Sequence, residues 1–163
     1  MFHYNFFPLF SNLKYYLVSL RLKKLNKIII TKAQLKELID WAQKCYPNEA
    51  PAILVGKINT SNNLGIVENV YTLKNVVESP VKFQIDPEEQ YRVYRIAEEN
   101  NQEIIGIFHS HPMNPIPSAI DLPFLKLHQN IWVILSTTQD TDNLKAYQWA
   151  EDELNKVEIE IIE

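Results

Sequence analysis

Two histidines and a carboxylate are spaced in this sequence so that they could bind one metal ion. They occur in Ile105-Gly106-Ile107-Phe108-His109-Ser110-His111-Pro112, followed by Pro117-Ser118-Ala119-Ile120-Asp121. Because alternate residues of a strand point to the same face, His109 and His111 would stand side by side, about 6.5 to 7 Å apart along the chain. A helix that begins after the loop would return Asp121 to them. Two imidazoles and one carboxylate leave a tetrahedral Zn²⁺ one position open for water, which is typical of a catalytic site.

Each part of this pattern also has a structural interpretation. A His-x-His pair in a strand is often two polar residues on one face. Ser118-x-x-Asp121 is typical of a helix N-terminus, with Ser118 as the cap and Asp121 near the positive end of the helix dipole. Capping and metal binding do not exclude each other. The ordered set, within thirteen residues, is more specific than either half.

The composition limits the kind of protein and the kind of metal site. The chain has 163 residues, 46% hydrophobic and 22% charged, which suits one globular domain and excludes collagen, a coiled coil or a disordered chain. A net charge of −4 gives no reason to expect nucleic acid as a partner. The single cysteine, Cys45, excludes an intramolecular disulfide and a multi-thiolate site, so nitrogen and oxygen must hold any metal. With no secretion signal, a cytoplasmic location is predicted.

The chain changes character near residue 26. Residues 1–26 are rich in aromatic side chains and carry four basic residues and no acidic one. This N-terminal extension is interpreted as poorly ordered or as the product of a misassigned start, while a packed extension and an interfacial amphipathic segment stay open. It contains no run of about 18 apolar residues, the length of a membrane span, so no membrane partner is expected. Residues 27–163 are predicted to form one domain.

From Lys27 onward, helix and strand patterns alternate. Thr31 and Asp86 are predicted helix N-caps, the latter followed by Pro87 and Glu89. The predicted strands are 27–30, 52–57, 66–73, 104–111, 131–136, 144–149 and 157–162, and the predicted helices are 32–46, 87–100 and 118–128. Strands 52–57 and 66–73 should form a hairpin. Helices interleaved with strands predict an α/β domain, a mixed sheet with helices packed against it.

These motifs together resemble the JAMM (MPN-plus) zinc metalloisopeptidase family. The family pattern is an upstream Glu, then His-Ser/Thr-His-Pro, a spacer, and Ser-x-x-Asp. The resemblance covers residue 27 to the C-terminus, and Phe83-Gln84-Ile85-Asp86-Pro87-Glu88 is typical of its compact prokaryotic members. It implies a single JAMM/MPN domain with a curved mixed sheet in a deaminase-like layered architecture. It also implies one Zn²⁺ per chain.

The resemblance assigns roles to five residues. It implies that His109, His111 and Asp121 bind zinc and that Ser118 helps to stabilise the oxyanion. The upstream Glu corresponds to Glu49, which on its own, in a Pro-Asn loop, would be an ordinary surface carboxylate. In the implied mechanism Glu49 accepts a proton from a zinc-activated water and passes it to the departing amine.

Two departures from the family pattern stand out. The spacer between His111 and Ser118 has six residues where family members usually have seven. The segment after Glu49 reads Ala50-Pro51-Ala52, where the family commonly has Cys or another small residue followed by Gly. Either change could alter the fit of a substrate without abolishing metal binding.

The substrate is implied by the resemblance alone. Compact prokaryotic relatives are implicated in removing ubiquitin-like small modifiers or sulfur-carrier proteins from their conjugates, a deubiquitinase-like activity. Such a carrier ends in a Gly-Gly tail, which could pair with an exposed strand edge. The oligomeric state is open, a homodimer included.

Two other functions are kept beside this one. The chain could be a catalytically silent MPN scaffold in a protein assembly, or a zinc amidase that acts on small peptides. A nucleobase deaminase needs a cysteine pair that the chain lacks, and no His-Glu-x-x-His string occurs. The remaining candidates, Trp41, Trp132, Trp149, Cys45 and His128, are interpreted as structural, although a tryptophan near the zinc could line a channel.

Overall fold

A barrel of seven strands organises the domain, with three helices in the part of the chain that the structure describes. That part, in the computed structural model, is residues 24–138 and 143–163. The elements are β1 (Lys27–Thr31), α1 (Lys32–Cys45), β2 (Ala52–Asn59), β3 (Leu64–Thr72), α2 (Pro87–Glu99), β4 (Glu103–His111), α3 (Asp121–His128), β5 (Ile131–Ser136), β6 (Leu144–Ala150) and β7 (Glu153–Ile162).

The sheet is mixed and closed. The strands follow the order β1-β3-β2-β4-β5-β6-β7, and β1 pairs with β7 to complete the barrel. β1 runs parallel to both its neighbours and β4 runs parallel to β5, whereas the other pairs are antiparallel. The predicted mixed, curved sheet is therefore confirmed, and its closure is an added detail. Every strand pairs with a neighbour on each side over at least part of its length, so the sheet has no edge strand.

The central strands are buried on both faces, which is why polar groups on them are shielded from water. Along β4, every residue from Ile105 to His111 is buried, and all of β5 is buried. One hydrophobic cluster contains Phe108 and Leu54, and a second contains Ile107 and Ile53, so β2 and β4 contribute alternate residues to each. A Cβ at Gly106 would lie 2.4 Å from the carbonyl oxygen of Ile131, so glycine allows β4 to approach β5 there.

Both predicted helix caps are confirmed. The Thr31 side chain accepts a hydrogen bond from the backbone of Gln34, whose own side chain accepts one from Thr31, and these reciprocal bonds complete a capping box for α1. The Asp86 carboxylate accepts hydrogen bonds from the amides of Glu88 and Glu89 at the start of α2. Pro87 occupies the first helical position, where its missing N–H costs nothing.

The remaining element predictions hold with shifted ends. The β2–β3 hairpin is present, and β5 has the predicted bounds. β7 begins at Glu153 rather than at residue 157, and α3 begins at Asp121 rather than at Ser118. Most of the predicted N-terminal extension lies outside the described residues, but Leu25 is buried and its N–H donates to Gln148 Oε1 at 2.7 Å. Among the described residues, no helix has the length and apolar character to cross a membrane.

Candidate metal centre

Four polar side chains, two imidazoles and two carboxylates, converge beside the end of β4. The Nε2 atoms of His109 and His111 lie 2.9 Å apart. The Asp121 carboxylate lies 3.6 Å from His109 Nε2 and 3.4 Å from His111 Nε2, and Glu49 Oε1 lies 3.7 Å from His111 Nε2. All four residues are buried, with exposed fractions between 0% and 7%. The structure therefore brings together four of the five residues singled out in the sequence.

β4 positions the two histidines. They alternate with Ser110, so both rings leave the same face of the strand, and β5 supports them through the pairing of His109 with Ile134 and His111 with Ser136. Phe83 and Trp132 pack against the His109 ring with centroid distances of 4.9 Å and 5.5 Å. The prediction that a tryptophan could lie near the site thus applies to Trp132.

The loop after β4 is held against the end of the barrel. Thr137 N–H donates to the His111 carbonyl at 2.9 Å, and the Thr138 hydroxyl donates to the Pro112 carbonyl at 2.9 Å. The Tyr147 hydroxyl donates to the carbonyl of the buried Pro115 at 3.2 Å. With these anchors, a spacer of six residues is long enough to return the chain to the histidines.

Ser118 shapes the turn that delivers Asp121. Its hydroxyl accepts hydrogen bonds from the amides of Ile120 and Asp121, each at 3.2 Å, and its own N–H donates to Asp121 Oδ2 at 2.7 Å. The helix itself begins three residues later than predicted, because Ser118 caps a turn that precedes α3 rather than the first turn of α3. Ser118 is therefore not the N-cap of α3, which is Ile120, but its hydroxyl caps the preceding turn and its N–H contacts the Asp121 carboxylate.

Glu49 is buried in the loop between α1 and β2, with 2% of its surface exposed. Its Oε2 has no hydrogen-bond partner among the described residues. Burial raises the pKa of Glu49 to about 7, with a smaller contribution from the Asp121 charge and an opposing one from His111. A carboxyl group with a pKa near neutrality can both take up and release a proton at physiological pH.

The other three groups are coupled. Burial alone would raise the pKa of Asp121, but the two neighbouring imidazoles and the hydrogen bond from Ser118 N–H outweigh it and hold that pKa well below the usual range. Burial lowers the pKa of His109, which keeps that ring neutral. Burial also opposes the charged form of His111, yet the two carboxylates and the Asn114 carbonyl raise its pKa overall.

The donor set suits a cation. Glu49, His109 and His111 each offer an atom within 4.8 Å of the others, and Asp121 contacts both rings more closely than Glu49 contacts either. His111 Nδ1 lies 3.1 Å from the Asn114 carbonyl, so it carries the proton and leaves Nε2 with a lone pair directed at the cluster. Two carboxylates and two imidazoles buried together without a cation are costly, and the unpaired Glu49 Oε2 adds to that cost. These residues fit a metal held by nitrogen and oxygen.

Sequence reasoning missed three residues around the site. Asn75 is 5% exposed and hydrogen-bonds to the Glu49 carbonyl at 3.1 Å. The Ser110 hydroxyl accepts from Ala50 N–H at 3.0 Å, and Phe83 covers His109. An asparagine in a loop and a serine between two histidines carry no sequence signal for these contacts, since each partner is distant in the chain.

Comparisons with known proteins agree with this fold and site. Residues 31–150 match the family described as prokaryotic homologues of the JAB domain, Prok-JAB. The chain is 38% identical over 116 residues to the desampylase of Pyrococcus furiosus, covering 70% of this chain and 75% of the relative. It is 22% identical over 139 residues to the CysO-cysteine peptidase of Mycobacterium tuberculosis, covering 83% and 92%.

Solved structures give the same result. The solution structure of protein DSY2949 from Desulfitobacterium hafniense is 32% identical with a TM-score of 0.71, over 83% of this chain and 93% of that one. A JAB1/MPN domain protein of Archaeoglobus fulgidus shares the fold at 23% identity and a TM-score of 0.54, over 84% of this chain and 99% of that one. The predicted α/β JAMM/MPN fold and the assignment to a family of hydrolases are confirmed. The chain belongs to the Prok-JAB family, the prokaryotic members of the JAB/MPN domain family.

Proposed function

We propose that this protein is a zinc-dependent peptidase that releases a ubiquitin-like or sulfur-carrier protein from its conjugates by hydrolysing a peptide or isopeptide bond. The observation that carries the proposal is the buried cluster in which His109 and His111 meet two carboxylates of different electrostatic character. Asp121 lies close to both imidazoles and accepts a backbone hydrogen bond, whereas Glu49 has one oxygen near His111 and one without a hydrogen-bond partner among the described residues. This division supports one as a metal ligand and the other as a proton carrier.

In this proposal His109, His111 and Asp121 hold one zinc ion. Two imidazole nitrogens and a carboxylate oxygen favour Zn²⁺ over Mg²⁺ or Ca²⁺, which prefer oxygen ligands. When bound, zinc supplies the positive charge that makes water acidic enough to attack an amide carbonyl near neutral pH. Asn114 holds His111 in the tautomer that directs Nε2 to the metal.

Glu49 and Ser118 complete the chemistry. Glu49 takes the proton of the attacking water and delivers it to the departing amine, which an amide requires because an unprotonated amine is a poor leaving group. Its raised pKa suits both halves of this transfer. The Ser118 hydroxyl, which accepts two backbone hydrogen bonds, still has its own proton to donate to the developing oxyanion.

The substrate class follows from the named relatives. A desampylase and a CysO-cysteine peptidase are similar to this chain over at least 70% of its length, which supports a small protein modifier joined through its C-terminus as the substrate. The prediction that a Gly-Gly tail pairs with exposed strand backbone is kept in this proposal, since residues 109–111 of β4 pair with β5 but not with β2.

The test compares three probes with full-length protein that contains measured zinc. The first is a sulfur-carrier protein ending in Gly-Gly joined to cysteine, and the second is the same carrier joined to a lysine side chain of a peptide. The third is a short peptide with the carrier's last residues joined to cysteine. We expect cleavage of one or both protein conjugates, loss of cleavage with a chelator, and recovery when Zn²⁺ is added.

The two alternatives predict other outcomes. A zinc amidase for small peptides would cleave the short peptide at least as well as the protein conjugates. A silent scaffold would cleave none of the three. Either result would replace the proposed function.

A further inference from the structure

The backbone around Glu49 is held by three hydrogen bonds. Glu49 N–H donates to the Ser79 carbonyl at 2.9 Å, and the Glu49 carbonyl accepts from Asn75 Nδ2 at 3.1 Å. The next amide, Ala50 N–H, donates to Ser110 Oγ at 3.0 Å. Glu49 Oε2 has no hydrogen-bond partner among the described residues and Oε1 lies 3.7 Å from His111 Nε2, so the hydrogen bonds that the described residues make with Glu49 are those of its main chain, and they help to locate the carboxylate.

Asn75 organises the segment from 74 to 85 around itself. Its side-chain amide donates to the carbonyls of Glu49, Ser79 and Lys82, at 3.1, 3.4 and 3.0 Å. Its carbonyl oxygen accepts from the amides of Val77 and Gln84, at 3.2 and 3.1 Å. Asn75 is only 5% exposed, and a buried amide with all its groups paired holds one arrangement because leaving any of them unpaired is costly.

Ser110 links the Glu49 segment to the strand that carries the histidines. It lies between His109 and His111 in β4 and is 1% exposed. Its hydroxyl fixes Ala50 directly after Glu49, so the distance between the carboxylate and the imidazoles depends on this bond. The same segment that Asn75 organises also brings Phe83 onto the His109 ring. The Glu49 backbone and the His109 ring are therefore both in contact with the segment that Asn75 organises.

We propose that Asn75 and Ser110 are positioning residues that determine where the Glu49 carboxylate lies relative to the metal site. They do so by hydrogen-bonding to the carbonyl and the N–H of the Glu49–Ala50 peptide group. This inference rests on the proposed function, in which Glu49 carries the proton. Neither side chain touches the reacting atoms. A misplacement of about 1 Å at a proton-transferring group lowers the rate by as much as about 100-fold, so backbone anchors of this kind affect catalysis.

The first experiment measures anchoring without any substrate. Residue-resolved amide hydrogen exchange is recorded on the full-length, zinc-loaded protein and on Asn75→Ala, Ser110→Ala and Ser110→Thr. We expect exchange at Glu49 N–H to speed up at least about 10-fold in Asn75→Ala, and at Ala50 N–H in Ser110→Ala, since each amide opens more readily once its support is lost. Ser110→Thr keeps a hydroxyl and should restore protection at Ala50.

Gln148→Ala is the matched control. Gln148 is a fully buried amide whose Oε1 accepts from Leu25 N–H, and β6 places it beyond Tyr147, which pairs with Trp132 at the start of β5. It lies at the end of the barrel remote from His111, whose partner in β5 is Ser136. Its loss should speed exchange at Leu25 while leaving Glu49, Ala50 and kcat unchanged.

The second experiment separates positioning from a general loss of structure. With the carrier–cysteine conjugate as the probe, Asn75→Ala and Ser110→Ala should lower kcat about 10- to 100-fold, with KM and zinc content nearly unchanged. In a Glu49→Gln background the same substitutions should change kcat less than about twofold, because they act through Glu49.

Several outcomes would overturn the inference. Unchanged exchange at Glu49 and Ala50 would show that the bonds anchor nothing, and equal losses of kcat with and without Glu49 would show a general structural effect. If Asn75→Ala does not fold, the Ser110→Ala and Ser110→Thr pair decides the question alone. If the wild-type protein cleaves no probe, the proposed function fails, whereas the exchange pattern still shows whether Glu49 is anchored.

Discussion

Two buried carboxylates at the same site have opposite environments. Asp121 is 3% exposed, accepts a hydrogen bond from Ser118 N–H and lies 3.4 Å and 3.6 Å from the Nε2 atoms of His111 and His109, and these groups hold its pKa well below the usual range. Glu49 is 2% exposed, has an unpaired oxygen, and has a pKa raised to about 7. Burial is nearly equal, so the difference arises from the partners that surround each carboxylate.

The difference assigns a role to each carboxylate. A carboxylate that stays ionised and is aimed at two imidazoles is suited to hold a cation, and one that exchanges its proton near neutral pH is suited to carry protons. Asp121 gains its partners from the turn at Ser118, whereas Glu49 lies in a loop that fixes only its backbone. The same residue chemistry thus gives two functions because local folding differs.

Removal of Asp121 should have the largest effect. We expect Asp121→Ala to lower zinc from about one per chain to near zero and to abolish cleavage, because the proposed zinc site would lose one of its three protein ligands. Elemental analysis of tag-free protein measures the metal. Asp86→Ala is the matched control, since it removes an Asp at another helix N-terminus at a cost of about 1 kcal/mol and should retain its zinc. Full zinc in Asp121→Ala would reverse the assignment of the two carboxylates.

Glu49→Gln should sharpen the comparison by separating chemistry from metal binding. The substitution keeps the shape of the side chain and removes its basicity, so kcat should fall about 100- to 10,000-fold while zinc is retained. Glu78→Gln, an exposed glutamate in the neighbouring segment paired with Lys74, is the control and should leave kcat unchanged. A variant that loses its zinc would identify Glu49 as a ligand, and one that cleaves at the wild-type rate would remove it from the mechanism.

Substitution of Ser118 should have a smaller effect on kcat, and it tests the turn that brings Asp121 to the histidines. Loss of one oxyanion donor lowers kcat about 100- to 1,000-fold, and we expect Ser118→Ala to fall at the low end of this range. Ser118→Thr keeps the hydroxyl and should recover most of kcat. The measurement is kcat beside zinc content for each variant. If the Ala and Thr variants had the same kcat, the Ser118 hydroxyl would not act as an oxyanion donor and Ser118 would only cap the turn.

The sequence predicted the positions of the histidines, Ser118 and Asp121 better than that of Glu49. The histidines alternate in a strand and Ser118 and Asp121 begin a turn, so local periodicity and capping rules place them. The effect of the six-residue spacer could not be predicted in this way, because the spacer is held in place by Thr137, Thr138 and Tyr147, which lie far along the chain.

Glu49 was identified only by resemblance to a family. Nothing in a Pro-Asn loop indicates that a glutamate will be buried, and the contacts that bury it come from the segment 74–85 and from β4. Barrel closure was missed for the same reason. The pairing of β1 with β7 joins residues 27–31 to residues 158–162, a long-range contact that periodicity within either strand does not report.

The last prediction concerns stability without metal. In chelated protein, the Glu49 carboxyl has a pKa of about 7 against an ordinary value of 4.5. Between pH 4.5 and about pH 7 the Glu49 carboxyl keeps its proton in the folded chain and has lost it in the unfolded chain. The free energy of unfolding must therefore fall as pH rises across this range. We expect the free energy of unfolding to drop by about 2 kcal/mol between pH 5 and pH 7 through this group.

Urea denaturation of the chelated wild type and of chelated Glu49→Gln at pH 5 and pH 7 measures this effect, because the uncharged side chain has no proton to lose. The drop should be smaller in the variant by the contribution of Glu49. Zinc should oppose the trend in the wild type, since its ligands must be deprotonated and its stabilisation therefore grows with pH. Equal slopes for the two chelated proteins would mean that the buried Glu49 is ionised throughout, and the contrast with Asp121 would then lose its basis.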